Sequence, residues 1–349
     1  MFFANCCKFA SQFIATMNGK TFSDRLSWRI MGIVVVVSLL AQIVTALVIT
    51  DGSIHPIDWW REAPELLIYL IIIGLISFLV LYFFSRGVIR RTIRYGEELR
   101  KTTEAKERME SDLTLARDIQ RGMLRTDFPP FCHAFINPAK AVGGDFYDFD
   151  QRGDQFYFAI GDVSGKGIAA SLLMAITRVL LRFVVNEGLP LDVSMRRIND
   201  TFSNSNKAGM FVTMFVARID LKTGHMEYCN AGHDPILVMP PDGEPYMLKC
   251  KPNIAIGLFE NFSFEAERID FEQGTRVIAY TDGVTEAERK DLSQYGDERL
   301  LAWAQNVVER SHETSLSEQA IVESLYHSVR DFADDNPQND DITIMSIYI

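Results

Sequence analysis

The stretch AVGGDFYDFD, residues 141–150, carries two adjacent glycines and then three aspartates that are separated by aromatic residues. Three interpretations of this pattern are open. The aspartates could bind a metal ion, or the Gly-Gly-Asp sequence could form the hairpin of a nucleotide cyclase. The third interpretation is an edge strand with charged residues on its solvent face. The rest of the chain decides among them.

Short predicted strands and longer predicted helices follow this stretch. The strands are residues 155–161, 276–282 and 342–349, together with a hairpin formed by 211–220 and 225–230. The helices are residues 168–186, 191–204, 297–310 and 315–333. Because strands and helices come in blocks rather than in strict alternation, the pattern predicts an α+β fold of antiparallel sheets flanked by helices.

Aspartates recur where these predicted strands begin or end. Asp145 follows two glycines, Asp162 and Asp282 each close a strand, and Asp340 and Asp341 open the last one. A single aspartate of this kind is usually a turn residue, but four or five at separate strand ends favour a metal site. Ligand sets made only of oxygen suit Mg²⁺ or Mn²⁺ rather than zinc or copper.

Seven motifs then occur in an order and spacing that resemble one family. They are GGDFYDF, GDVSGKGIAASLLMA, FVTMF, NAGHDP, YTDGVTEA, YGDERL and NDDIT. The chain from about residue 113, which begins with LTLARDIQRGML, resembles the bacterial PPM-type serine/threonine phosphatases of the sporulation stage II protein E and stress-regulator kind. The resemblance implies a β-sandwich of two antiparallel sheets flanked by helices, over residues 126–349, with two divalent cations, Mn²⁺ or Mg²⁺, at one end.

The resemblance also implies a ligand set and an activity. The implied metal ligands are Asp145, Asp162, the carbonyl of Val163, Asp282 and Asp340, with Asp341 as the alternative to Asp340. The implied reaction is hydrolysis of phosphoserine or phosphothreonine by a water that the two cations activate, without a covalent intermediate. The implied substrate is a phosphorylated regulatory protein of the anti-anti-sigma type. Lys166 stands where such proteins often have histidine. Arg125 stands where such proteins often have a proline after the Met-Leu pair.

Two further residues have open roles. Lys166 either binds the phosphate of the substrate or is simply solvated, and His233 in NAGHDP is interpreted as a structural loop residue rather than a general acid. The cyclase interpretation fails, because the Gly-Gly-Asp motif opens the domain instead of lying midway along it. A rival hypothesis is a non-catalytic membrane signalling adaptor that uses a phosphatase-like fold to bind a partner.

The N-terminal part of the chain predicts a membrane anchor. Residues 30–50 and 66–85 carry no charge and are each long enough to cross a hydrocarbon core of about 30 Å. Basic residues flank the pair, whereas the loop of residues 51–65 is mainly acidic, so that loop is predicted to be external. Residues 1–29 and the catalytic domain are then cytoplasmic, on a multi-pass protein of the bacterial inner membrane.

Residues 86–125 predict a helical linker. A seam of alternating four- and three-residue steps runs from Val88 to Met123, with polar breaks at Thr92, Thr102, Lys106 and Gln120. This seam favours a two-stranded coiled coil, and hence a homodimer, over a single solvated helix.

The charge distribution and the cysteines argue against several other classes of protein. Residues 1–125 carry 16 Lys and Arg against 12 Asp and Glu, whereas the remainder carries 19 against 34. An acidic domain is a poor nucleic-acid binder, because phosphate contacts dominate that affinity. The five cysteines have no CxxC spacing and no companion histidines at ligand distance, which argues against a zinc site and a disulfide framework. None of them begins the Cys-x5-Arg pattern of a thiol phosphatase.

Overall fold

A computed structural model describes residues 59–205, 209–311 and 316–349, together with Gly32, Ile33, Val36 and Leu40, which are helical. The predicted segment 1–29, most of the first predicted span and residues 51–58 of the predicted loop lie outside the described residues. The chain forms two compact units, residues 1–109 and 110–349.

Helix α1 (Trp59–Met123) is a single helix of 65 residues. It begins seven residues before the second predicted span and continues without a break through the predicted linker, because no proline follows Pro64 until residue 129. Its part from Ile71 onward is long and apolar enough to cross a membrane, and so is helix α2 (Ile168–Asn186). Helix α2 packs its inner face on the C-terminal domain, so α1 is the candidate span of the two.

Two five-stranded antiparallel sheets form the sandwich that the sequence predicts. The first sheet has the order β1 (Cys132–Asn137), β10 (Ile342–Tyr348), β9 (Arg276–Tyr280), β6 (Leu237–Met239) and β7 (Tyr246–Met247). The second has the order β2 (Phe146–Arg152), β3 (Gln155–Val163), β4 (Val212–Asp220), β5 (His225–Ala231) and β8 (Glu267–Asp270). A core that includes Phe158, Phe215 and Met345 lies between the two sheets. The predicted fold class is therefore confirmed.

Helices cover the outer face of each sheet. Helices α2 and α3 (Leu191–Ser205) pack on the second sheet through residues such as Met174 and Met195. Helices α4 (Gly296–Ser311) and α5 (Glu318–Ala333) pack on the first sheet through a separate cluster. Helix α5 begins at Glu318, three residues later than predicted. The reason is that the hydroxyl of Ser317 caps it by accepting a hydrogen bond from the backbone N–H of Ala320.

A carboxylate site at one end of the sandwich

The aspartates of AVGGDFYDFD have separate roles. Strand β2 is indeed the edge strand of its sheet, but its acidic residues do not form a solvent face. Asp145, just before the strand, is only 1% exposed, and Asp148 is 4% exposed. The Asp148 carboxylate pairs with Arg178 and Arg182 of α2, so it fastens the edge strand to the helix layer. Asp150 reaches the surface, where it contacts Arg152.

Four chain segments bring the predicted ligands to one end of the sandwich. The register of β2 and β3 pairs Phe146 with Gly161, so Asp145 and Asp162 are neighbours. Strand β9 ends at Tyr280 and strand β10 begins at Ile342, and these two strands pair side by side. The sequence around that pairing carries Asp282, Asp340 and Asp341. Each of the five aspartates therefore lies at a strand end.

Two threonines of the first sheet hold the carboxylate of Asp145, which comes from the second. The hydroxyl of Thr281 donates a hydrogen bond of 2.7 Å to Oδ2 of Asp145. The hydroxyl of Thr343 donates another, of 2.6 Å, to the same oxygen. Both threonines are fully buried, and the contact joins the two sheets at the site. The Oδ2 atom is thus fixed in direction by donors that belong to β10 and to the end of β9.

The carboxylate of Asp341 accepts hydrogen bonds from backbone N–H groups. Its Oδ1 accepts a 2.8 Å hydrogen bond from the N–H of Ala139, and its Oδ2 accepts one of 2.8 Å from the N–H of Gly144. A Cβ on Gly143 would lie 2.0 Å from the same Oδ2, which explains the first of the two glycines. Asp341 therefore fixes the turn that leads into Asp145.

Asp340 points in a different direction. Its Oδ2 lies 2.7 Å from Nζ of Lys166, which also donates a 2.7 Å hydrogen bond to the carbonyl of Asn339. Lys166 is carried on a tight loop between Gly165 and Gly167, whose φ angles of 88° and 82° few other residues adopt. In the described part of the chain, Lys166 is the one Lys or Arg that pairs with any of the five carboxylates.

Burial and mutual repulsion dominate the electrostatics of the site. Burial, followed by the charge of Asp282, raises the pKa of Asp162 from its ordinary 3.8 to about 7. Burial, followed by the charge of Asp340, raises the pKa of Asp282 to about 6. Burial also raises the pKa of Asp145 well above its ordinary value, with Asp162 and Asp341 adding to the effect. Ionisation of all these carboxylates together is therefore costly, and added positive charge would favour it.

The donor set fits hard divalent cations. The available groups are carboxylate oxygens and the Val163 carbonyl, which are the ligands that Mg²⁺ and Mn²⁺ prefer. A Cβ on Gly144 would lie 2.7 Å from the Val163 oxygen and 3.1 Å from Oδ1 of Asp162, so only glycine leaves this space open. Among the residues that the structure describes, no three His, Cys, Asp or Glu side chains already enclose one point. The carboxylates are neighbours without being closed around a single centre.

His233 has no ring nitrogen to spare for catalysis. Its Nε2 lies 3.1 Å from the carbonyl of Tyr280 and its Nδ1 lies 3.0 Å from the hydroxyl of Thr213. The side chain of Asn230 also bonds both the N–H and the carbonyl of His233. Burial lowers the pKa of the imidazole to about 4, so the ring is neutral near pH 7. These contacts hold the NAGHDP turn in place.

Sequence reasoning missed three residues at the site. Thr281 and Thr343 could have been found, since each lies within two residues of an aspartate in the YTDG and NDDIT motifs. Gln120 was expected on the seam of the linker, and that prediction is wrong. Its side chain is buried and its Nε2 donates a 2.8 Å hydrogen bond to the carbonyl of Gly143.

Comparison with known proteins agrees with this geometry. The model of the family described as stage II sporulation protein E matches residues 152–349. Protein IcfG of Synechocystis is 28% identical over 299 residues, which are 75% of this chain and 46% of IcfG. The chain thus spans about half the length of that relative. Phosphoserine phosphatase RsbU of Bacillus subtilis is 27% identical over 247 residues, which cover 66% of this chain and 73% of RsbU.

Solved structures share the fold. The SiaA-PP2C domain of Pseudomonas aeruginosa superposes with a TM-score of 0.61 at 18% identity, over 70% of this chain and 98% of that domain. The PP2C phosphatase domain of SpoIIE from Bacillus subtilis, with a fragment of its regulatory domain, gives a TM-score of 0.53 at 19% identity. That match covers 64% of each chain. At such identities the likeness concerns the fold, which is that of PP2C domains.

Proposed function

Because this chain belongs to the stage II sporulation protein E family, we propose that it is a membrane-anchored, metal-dependent protein phosphatase that hydrolyses phosphoserine or phosphothreonine on a signalling partner. The observation that carries the proposal is the meeting of four strand-end aspartates from both sheets at one end of the sandwich. The raised pKa values of Asp145, Asp162 and Asp282 and the glycine-lined space beside Asp162 support a site for cations.

The proposed ligands of two Mn²⁺ or Mg²⁺ ions are Asp145, Asp162, the Val163 carbonyl, Asp282 and Asp340. Such ions supply a water of lowered pKa and positive charge beside the phosphoryl oxygens. The two threonines keep Asp145 directed at the site, and Asp341 is proposed to position the Gly143–Gly144 turn rather than to bind a cation.

Lys166 is proposed to bind a phosphoryl oxygen of the substrate. Its ammonium lies at the edge of the carboxylate site and its side chain is 41% exposed, so an incoming phosphate can reach it. It also lines a cavity of about 170 Å³, together with Asp340, Glu288 and Arg330. A cation beside the site offsets part of the charge of a phosphorylated side chain.

Direct attack by water is favoured over a covalent intermediate. Cys132 and Cys229 are buried, and burial raises the pKa of each thiol, so neither is a reactive thiolate. The ring nitrogens of His233 are occupied by Tyr280 and Thr213. Neither of these thiols nor the imidazole is therefore available as a nucleophile, which supports attack by water.

The proposed substrate is a phosphorylated regulatory protein, of the anti-anti-sigma type that the family resemblance implies. The names of two relatives, the phosphoserine phosphatases RsbU and RsbP of Bacillus subtilis, support a phosphoserine substrate. The acidic C-terminal domain argues against a nucleic-acid partner.

The proposed setting is the bacterial inner membrane, with the catalytic domain in the cytoplasm. The uncharged stretch of α1 from Ile71 supports an anchor. The seam residues Val88, Tyr95, Leu99 and Met109 are exposed on α1 of the isolated chain. Pairing of two such helices would bury them, which supports a homodimer through the linker.

Phosphate release by the full chain, purified in detergent, tests the proposal. We expect hydrolysis of p-nitrophenyl phosphate and of phosphoserine and phosphothreonine peptides that requires Mn²⁺ or Mg²⁺ and stops on addition of EDTA. A phosphotyrosine peptide serves as the comparison substrate. Cation binding without any hydrolysis would instead favour the non-catalytic adaptor.

A further inference from the structure

The last turns of α1 reach the turn that carries Asp145. The side chain of Gln120 is 8% exposed, and its Nε2 donates a 2.8 Å hydrogen bond to the carbonyl of Gly143. Its Oε1 accepts a 3.2 Å hydrogen bond from the N–H of the same glycine. One side chain thus satisfies both backbone polar groups of Gly143, which would otherwise be buried without partners.

Asp341 holds the same turn from the next residue. It accepts the N–H of Gly144, while a Cβ on Gly143 would lie 2.0 Å from its Oδ2. The Gly143–Gly144 segment is therefore held between Gln120 of α1 and Asp341 before β10, and Asp145 follows directly. A shift of α1 along or about its axis would move the Gln120 amide, and the turn would have to follow or lose two hydrogen bonds.

We propose that Gln120 is a positioning residue for the carboxylate site: it sets the Gly143–Asp145 turn, and through that turn the affinity for divalent cations responds to the position of α1. This inference rests on the proposed function. A purely structural role, fastening the helix to the domain, would not change cation affinity. Arg117 makes such a fastening contact one turn earlier, where its Nε donates a 2.9 Å hydrogen bond to the carbonyl of Ala141.

Substitution of Gln120 tests whether this residue positions the Gly143–Asp145 turn or only attaches α1 to the domain. The full chain in detergent is prepared as wild type, as Gln120→Met and as the matched control Gln155→Met. Gln155 donates a 2.7 Å hydrogen bond to Asp220 at the end of β3 opposite Asp162. Calorimetric titration with Mn²⁺ gives the affinity, and circular dichroism reports the fold. We expect about tenfold weaker Mn²⁺ binding for Gln120→Met, since both hydrogen bonds that hold Gly143 are lost. Gln155→Met should match the wild type.

Hydrogen exchange of the wild type gives a second test that needs no variant. Because coupling is reciprocal, Mn²⁺ should slow amide exchange in residues 113–123 of α1 as well as in residues 138–146. Slowing confined to residues 138–146 would overturn the inference. So would a folded Gln120→Met that binds Mn²⁺ as the wild type does, or a loss that Gln155→Met shares. A wild type that binds no Mn²⁺ overturns the proposed function and this inference with it.

Discussion

Oδ2 of Asp341 accepts a 2.8 Å hydrogen bond from the backbone N–H of Gly144, at the turn that leads into Asp145. The preceding residue, Asp340, instead faces Lys166 across 2.7 Å. Two adjacent carboxylates of one motif therefore have different partners: one holds the backbone, whereas the other lies at the open side of the site. The sequence alone left open which of the two is the ligand.

Replacement of each aspartate by asparagine should separate these roles. Asp341→Asn puts an amide where two backbone N–H groups need acceptors, and we expect the free energy of unfolding to fall by about 1–3 kcal/mol. Asp340→Asn should change stability little but weaken Mn²⁺ binding. Urea unfolding with EDTA and calorimetric titration measure the two effects. The reverse pattern, with Asp340→Asn the destabilised variant, would contradict the assignment.

Cation-free stability should depend on pH through Asp162 and Asp282. Their pKa values of about 7 and about 6 lie above the ordinary 3.8, so the folded protein binds more protons than the unfolded chain between these limits. Their contribution to the free energy of unfolding therefore falls as pH rises from about 4 to about 7. Relative to the Asp162→Asn, Asp282→Asn double variant, EDTA-treated wild type should therefore lose stability between about pH 4 and about pH 7. If the difference in the free energy of unfolding between the two proteins does not change with pH, the shifted pKa values are refuted.

The strands and helices that the sequence predicted have strong local patterns. Helix α2 was predicted at its observed bounds because its mainly apolar run starts after the glycine-rich DVSGKG loop. Strand β7, of two residues, is too short to have a period, and β8 alternates only over four residues. These strands are fixed by their neighbours in the sheets, which a local pattern does not contain.

The residues of the site also differ in whether the local sequence predicts them. Asp145, Asp162 and Asp282 could be predicted because each is next to a glycine at a strand end. The partner of Gln120 could not, since its hydrogen bonds reach Gly143, which lies 23 positions along the chain. The pairing of Asp148 with α2 was hidden for the same reason, because Arg182 is 34 positions away.

The basic flanks of the two predicted spans predict the orientation of the chain in the membrane. Alkaline phosphatase fused after Thr50 should be active, because that position is predicted to be outside the cytoplasm. The same reporter fused after Arg94 should be inactive, and a fluorescent protein fused there should be bright. Active alkaline phosphatase after Arg94 would put the catalytic domain on the wrong side of the membrane for a cytoplasmic substrate.

Substitutions on the predicted seam of the linker should change dimerisation and activity. Thr102 and Lys106 lie on the predicted seam, and replacing them with Leu and Ile should tighten a dimer and hold activity either high or low. The off-seam pair Lys101→Ile and Thr103→Leu is the control, since these residues are also exposed on α1. Sedimentation and phosphate release measure the two properties. Tighter dimers with unchanged activity and regulation would make the linker a simple tether.

The central claim is that the strand-end aspartates hold the cations that drive phosphate ester hydrolysis. Its most direct test is Mn²⁺-dependent release of phosphate from a phosphoserine peptide by Asp162→Asn and Asp282→Asn, each in the full chain. Asp335→Asn, an exposed aspartate outside the site, is the control. Loss of one charged ligand should cost several kcal/mol of transition-state stabilisation, so both variants should fall below about a thousandth of wild-type turnover while Asp335→Asn keeps it. Folded variants that retain more than about a tenth of wild-type turnover with excess Mn²⁺ would contradict the claim.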